Sequence, residues 1–348
     1  TFFSVLLTGT AVLFSWLIHS VLFIPFIRLL YHIRLQRLQQ VTRDMFNNRT
    51  PLFDKFHHHK AGTPVGGGLL IITLTTILLP VILMLMYYFW VPVTSVYPMA
   101  SEVKILIFTF LSFGLLGLLD DAKKTFAWVK NGFFGLRLRH KLLLEIMLAA
   151  IIGFWLVHDL KIGIINVPLL GVLQLGWWYI PFAVFVIIAF ANAFNITDGL
   201  DGLSAGVLVI ALFAFWFLSA SILDTVLSIF IALWIGGMLA FLYFNVLPSR
   251  IFLGDVGALS FGATFAVVGL ILGKTPALVI IGGIFVIEVS SSLIQLVAKS
   301  MTGRKVFAAA PLHLWLQVKG WPESKIVMRF WILAIVLALF GLWLALFN

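Results

Sequence analysis

Ten apolar runs long enough to cross a bilayer are spaced along this chain, and they limit the folds open to it. A crossing helix needs roughly 20 apolar residues. Such runs fall at 4–30, 66–89, 103–119, 141–158, 178–196, 203–221, 224–244, 257–272, 277–298 and 327–347. The eighth is the weakest, being short and rich in glycine. In hydrocarbon only helices and closed barrels satisfy their own backbone groups. The expectation is therefore an all-α polytopic membrane protein of about ten transmembrane helices, with a single domain over 1–348. Composition agrees: 62% of the residues are hydrophobic and 10% charged, against about 25% charged in soluble domains. The first run starts without a basic segment before it, so it reads as a mature span rather than a signal peptide. The absence of cysteine excludes disulfides and thiolate metal sites.

Between the fourth and fifth runs, KIGIINVPLLGVLQLG (161–176) partly alternates around a Pro-Leu-Leu-Gly turn. This predicts a short β-hairpin on the outer membrane surface.

Charge supplies the orientation. The net charge of +10 first suggests nucleic acid, but 20 of the 23 Lys and Arg fall in alternate loops. They flank the first and second runs (Arg28 to Lys60), the third and fourth (Lys123 to Lys141), the seventh and eighth (Arg250), and the ninth and tenth (Lys299 to Arg329). Only Lys104, Lys161 and Lys274 lie on the other side. Basic loops stay in the cytoplasm, so both termini are expected outside and no nucleic-acid partner is implied. Asp120, Asp121, Asp198, Asp201 and Asp255 share the basic side, which points to a site in cytoplasmic loops.

Each polar stretch on that side has a chemical and a plainer reading. GLLGLLDDAKK (114–124) ends a span with two carboxylates about 100° apart on a helix. One can hold a metal while its neighbour faces a substrate, and hard oxygens suit Mg²⁺. The alternative is a solvated helix end with Lys123 and Lys124 as dipole partners. Asp255 lies in a Gly-Asp-x-Gly turn, where glycines let backbone approach a phosphate or metal or simply turn the chain. Nearby Phe252 is either a base-stacking platform or a lipid-facing ring. NITDGLDG (195–202) is either an Asx turn or a recognition loop offering amides and carboxylates to a nucleobase. HHHKAGTPVGGG (57–68) sets Lys60 before a glycine-rich helix start, an anion cradle or lipid-binding loop. Its consecutive histidines do not converge easily on one metal ion. His313 is a lone histidine, structural or catalytic, followed by Trp315 and Trp321 in an interfacial segment. Glu288 and Gln295 sit two helical turns apart in the ninth run. An intramembrane acid is a functional signal by default, and helix packing is the alternative.

Taken in series, KAGTP, LGLLDD, NAFNITDGLDGL, FLGD and APLH…KGWPE…KIV…RFW resemble the phospho-N-acetylmuramoyl-pentapeptide transferases. These lie within the polyprenyl-phosphate N-acetylhexosamine-1-phosphate transferases. The resemblance spans nearly the whole chain. It implies transfer of phospho-MurNAc-pentapeptide from UDP-MurNAc-pentapeptide to undecaprenyl phosphate, giving lipid I and UMP. It also implies Mg²⁺, a homodimer among membrane lipids, and a bacterial inner membrane with the site facing the cytoplasm. By the same resemblance Asp255 is a Mg²⁺ ligand, joined by Asp120 and Asp121. Asp120 is a base for the lipid phosphate or a covalent nucleophile. Lys124 and Lys141 are phosphate-region lysines, Asn195 and Asp198 line the catalytic cleft, and His313 belongs to the catalytic set. Gly199, Leu200, Asp201, Asn245 and Phe252 form a uridine pocket, with Lys60 and Gln295 at nucleoside positions.

The chain departs from this pattern. Three histidines are usual where it has His313, Leu314 and Trp315. Hydroxyls are also lost at Val65, Val256 and Ala258. The departures suit altered nucleotide contacts, a different sugar, or reduced activity. The alternatives are a sister transferase moving GlcNAc-1-phosphate or a related sugar phosphate from a UDP-sugar, and a non-catalytic transporter or lipid-binding protein on the same scaffold.

Overall fold

The structure, a computed structural model, describes residues 2–36, 56, 60–126, 135–168 and 171–346. In chain order these form α1 (Phe2–His32), α2 (Gly67–Tyr88), α3 (Met99–Phe126) and α4 (Leu138–His158). The strands β1 (Ile164–Val167) and β2 (Gly171–Gln174) follow, then α5 (Tyr179–Thr197), α6 (Leu203–Ser221), α7 (Thr225–Asn245) and α8 (Gly254–Ile271). The chain closes with α9 (Thr275–Ile281), α10 (Gly283–Thr302), α11 (Leu312–Val318) and α12 (Glu323–Leu346). Among the described residues ten helices are long and apolar enough to cross a membrane. The hairpin is antiparallel, with Ile164 opposite Gln174 and Val167 opposite Gly171. Leu169 and Leu170 of its turn lie outside the described residues.

The eighth run, weakest by hydropathy, is the centre of the bundle. Every residue of α8 is buried, and the helix packs against α3, α5 and α2. Helices in lipid associate through close packing rather than water exclusion, so small residues gather where backbones meet. A Cβ on Gly68 of α2 would lie 2.3 Å from Gly257 Cα, and one on Gly262 would lie 2.4 Å from Phe190 O. The glycines that lower the hydropathy of this run are what admit its neighbours. Around it Phe110, Trp234 and Phe261 stack within 5.3–5.5 Å between ring centroids.

Two runs differ from expectation. The third was expected to end at 119, but α3 continues to Phe126. Its 28 residues span about 42 Å, beyond the roughly 30 Å of hydrocarbon. Asp120, Asp121, Lys123 and Lys124 therefore ride on a helical extension. The ninth run is not one span: α9 ends at Ile281, α10 begins at Gly283, and Gly282 lies between them. A Cβ on Gly282 would lie 2.6 Å from the Phe190 ring. From this break α9 packs on α12 while α10 leans toward α5.

Candidate active site

The C-terminal ends of α3, α5, α7 and α10 and the N-terminal ends of α2, α4, α6, α8 and α12 meet at one end of the bundle. The hairpin, the start of α1 and the end of α12 lie at the other. At the first end two helices bring carboxylates together. Asp120 and Asp121 come from the α3 extension, and Asp255 from the first turn of α8. Gly117 sets the approach, since a Cβ there would lie 2.0 Å from Asp255 O. Lys124 Nζ sits 2.9 Å from Asp120 Oδ2 and 2.5 Å from Asp255 Oδ2. Lys141, in the first turn of α4, stands 3.6 Å from the same two oxygens. Asp120 also accepts from Leu136 N at 2.6 Å. Asp121 has a different local task. Its Oδ2 accepts from Val256 N at 3.0 Å, one of the N–H groups that a helix start leaves without an intrahelical partner. Asp121 thus caps α8 from α3 and fixes the turn that carries Asp255.

The KAGTPVGGG stretch is sewn to the segment before α8. Gly66 N and Gly67 N donate to Phe252 O at 3.1 and 2.9 Å, Phe252 N donates to Pro64 O at 2.9 Å, and Gly68 N donates to Leu253 O at 3.0 Å. Gly66 takes φ +115° to make this turn. Lys60 is buried with two carboxylates: Asp201 Oδ1 at 2.7 Å and Glu323 Oε1 at 2.6 Å. Glu323 also accepts from Asp201 N, and Asp201 Oδ2 accepts from Ser249 N. Asn245 holds Gly202 N through its carbonyl and Ile251 O through its amide, at 3.0 and 2.9 Å. Trp331 donates to Gly202 O at 3.1 Å and packs over Gly206, where a Cβ would lie 2.2 Å from its indole.

The 195–202 turn is the inner wall. Asn195 Nδ2 is buried with no hydrogen-bond partner among the described residues. Asp198 closes the end of α5 and accepts from Ser204 Oγ. Lost hydration pushes its carboxyl up from 3.8 to about 6, with Asp255 and Asp201 adding to the rise and Ser204 and Lys60 opposing it. Leu200 is buried. Gly199 lies under the His313 ring, so close that a Cβ would fall 2.5 Å from Nε2. His313 is held by Glu288: His313 N donates to Oε1 at 3.1 Å, and Nδ1 lies 2.9 Å from Oε2. Gln295 braces the loop before α11, accepting from Val306 N and Phe307 N and donating to Phe307 O. Leu314 is buried, while Trp315 lies between the Phe307 ring (6.1 Å) and Lys319 Nζ (3.8 Å). The two residues that replace the usual histidines are thus packing residues.

The expected residues fall into several groups. Asp120, Asp255, Lys124 and Lys141 converge directly, and Asn195, Asp198, Gly199 and His313 form a second group. Lys60, Asp201, Asn245 and Gln295 direct their polar atoms into the protein, and Phe252 contributes its backbone to the stitched loop. The His57–His59 run lies outside the described residues. Among the described residues no three His, Asp or Glu side chains are grouped to hold a metal. The converging pair, Asp120 and Asp255, presents hard oxygens gathered around two cations, Lys124 and Lys141, and hard oxygens are the donors that suit Mg²⁺. Three acids outside the set implied by the resemblance also make contacts at this end. Glu323 was visible within KGWPE, Glu288 as an acid in an apolar run, and Glu145 one turn beyond Lys141. Glu145 accepts from Asn192 Nδ2 at 2.7 Å.

Fold and site define a class: a multi-span membrane protein with a buried acid–lysine centre at one end of its bundle. The family model for Glycosyl transferase family 4 matches residues 103–273, which include that centre. A phospho-N-acetylmuramoyl-pentapeptide-transferase from Desulforudis audaxviator (strain MP104C) is 39% identical over 241 residues, 67% of this chain and 71% of the relative. One from Acetivibrio thermocellus (strain ATCC 27405) is 36% identical over 295 residues, covering 82% and 83% of the two chains. One from Rickettsia canadensis (strain McKiel) is 36% identical over 258 residues, covering 68% and 71%. The chain belongs to the phospho-N-acetylmuramoyl-pentapeptide-transferase family, a family of multi-pass bacterial membrane proteins.

Proposed function

We propose that this chain carries out the reaction its relatives are named for. It moves phospho-MurNAc-pentapeptide from UDP-MurNAc-pentapeptide to a polyprenyl phosphate: the pyrophosphate bond of the donor breaks, a new one forms to the lipid phosphate to give lipid I for peptidoglycan, and UMP leaves. The observation that carries this reading is the pair of carboxylates from α3 and α8 sharing Lys124 and Lys141. Phosphoryl transfer asks a protein mainly for positioning and charge neutralisation. Two lysines beside two acids supply both. Lys124 and Lys141 receive the phosphate charge of donor and acceptor. Asp120, freed from Lys124 when phosphate arrives, faces the lipid phosphate as base or nucleophile. Mg²⁺ is part of the proposal, held by Asp255 with Asp120 and with Asp121 behind it. When bound it would offset the pyrophosphate charge.

The polar atoms of Lys60, Asp201, Asn245 and Gln295 are engaged within the protein, so these residues shape the nucleoside wall. Asn195 Nδ2, the Phe252 ring and the Gly199–Leu200 backbone are the groups left to meet the nucleotide. The same reading takes the acceptor as undecaprenyl phosphate, the site end as cytoplasmic with both termini outside, and the enzyme as a homodimer.

The test is UMP release by purified protein in detergent, with UDP-MurNAc-pentapeptide and UDP-GlcNAc compared in the presence of undecaprenyl phosphate. Mg²⁺-dependent turnover with the first, lost in Asp255→Ala, is the expected result. Turnover only with UDP-GlcNAc would reassign the chain to the sister transferases. No turnover with either would favour a non-catalytic role.

A further inference from the structure

The Glu288–His313 pair connects two helices at the catalytic end, and its geometry is more specific than packing requires. Glu288 comes from α10 and His313 from the first turn of α11, and their side chains are 0% and 1% exposed. Pro311, before α11, gives no side-chain cap. The free N–H groups at the start of α11 are met from α10 instead: Ser291 Oγ accepts from Leu312 N at 3.0 Å and Glu288 Oε1 from His313 N at 3.1 Å. A cap needs only one oxygen of Glu288. The other lies 2.9 Å from His313 Nδ1. A carboxylate only accepts, so Nδ1 carries the hydrogen. Nε2 is then the ring atom closest to Gly199, in the turn that also holds Asn195 and Asp198.

We propose that Glu288 is a positioning residue for the transferase. It fixes the ring as the Nδ1–H tautomer and leaves Nε2 beside Gly199 as an acceptor for an O–H or N–H of the bound nucleotide sugar. The residue that follows His313 in the chain cannot take over this role, because Leu314 is buried and has no polar atom. Of the side chains that begin α11, the ring of His313 is thus the acceptor at this point, oriented by the Glu288 carboxylate. The inference rests on the transferase reading, since it gives Nε2 a substrate to meet.

The diagnostic variant is Glu288→Gln. Its carbonyl oxygen keeps the bond from His313 N, so the α11 cap survives. Its amide N–H₂ then faces Nδ1 and drives the hydrogen to Nε2. The expected loss in kcat is roughly 10²–10⁴-fold, the span of general acid–base and tautomer effects, with the melting temperature in detergent unchanged. His313→Ala should lose as much, and adding Glu288→Gln to it should cost nothing more. Equal losses from Glu288→Gln in the wild-type and His313→Ala backgrounds would overturn the proposal, as would full activity in either single variant. Nitrogen-15 NMR of histidine-labelled protein, with His313→Ala used to assign the signal, reads the tautomer without any turnover. An Nδ1–H ring in wild type and an Nε2–H ring in Glu288→Gln are expected, and the same tautomer in both overturns the inference. Failure of the transferase reading shows separately, as absent turnover by the wild-type protein.

Discussion

Lys60 is 8% exposed and touches two carboxylates, Asp201 and Glu323. Removing one member of a buried ionic group leaves the others without compensation, which costs about 3–5 kcal/mol. Lys60→Met strands two acids at once, so it should lower the thermal stability of the detergent-solubilised protein by an amount of that order. Lys319→Met, at an exposed lysine lying over the Trp315 ring, is the comparison. If the two variants melt alike, the triad is not a structural element. Single residues also mark the limit of what the sequence conveys. That Lys60, Asp201 and Gln295 need partners was legible, because polar groups beside apolar runs are costly to leave unpaired, while Asn245 stood out only through the family resemblance. Which partners they take was not legible. Lys60 and Glu323 are separated by 263 positions, and no local pattern encodes that distance. That Lys60, Asp201 and Glu323 form one triad was therefore not readable before the backbone was placed.

At the scale of elements, the α3–α8 contact decides whether Asp120 and Asp255 meet. Gly117 lies against the Asp255 backbone, and backbone yields less readily than a side-chain tip. Gly117→Ala should therefore push the two helices apart at the carboxylates. Overpacking of this kind costs typically 1–3 kcal/mol, and activity should fall more steeply than stability because the acid–lysine spacing opens. Gly9→Ala on α1, where a Cβ meets nothing within 4 Å, should leave both properties intact. Equal melting temperature and turnover in the two variants would remove the contact from the argument. The periodic elements were readable in advance: long apolar runs became spans, and alternation around Pro168 became the hairpin. The errors share one cause. Hydropathy weighs side chains one at a time, whereas the centrality of α8, the α3 extension and the break at Gly282 depend on which backbones approach each other. Glycine looks like weakness in the first measure and like a contact surface in the second.

Across the whole molecule, polar chemistry is buried at both ends of the bundle. At the end opposite the candidate site, two buried acids have no cation bonded to them among the described residues. Asp224 caps α7 by accepting from Leu227 N at 3.1 Å and also accepts from Val96 N at 3.3 Å. Glu102 of α3, 0% exposed, accepts from Ser95 Oγ at 2.6 Å through Oε2. The two buried carboxyl groups act on each other electrostatically, and neither is bonded to a Lys, Arg or His among the described residues. Two neighbouring buried acids repel each other when both are ionised, and burial disfavours the charge of each, so the pair favours keeping a proton. Burial raises the Asp224 carboxyl above its ordinary 3.8, against the opposing hydrogen bonds from Leu227 and Val96. The sign of the linkage follows. Below the unfolded value of 3.8 folded and unfolded chains hold the same proton, and the contribution to stability is fully present. As pH rises above that value the unfolded chain releases a proton that the folded chain keeps, so stability falls until the folded group also ionises. Glu102→Gln replaces the retained proton with a permanent donor. Its amide carbonyl can still accept from Ser95, and its N–H₂ can donate to an ionised Asp224. The melting temperature of the wild-type protein in detergent, followed from pH 5 to pH 9 in steps of about one unit, should decline more than that of Glu102→Gln. The variant should be the more stable of the two at the alkaline end. Parallel curves would mean that no proton is held by the Glu102 and Asp224 pair, and that the end of the bundle carrying the hairpin is insensitive to pH.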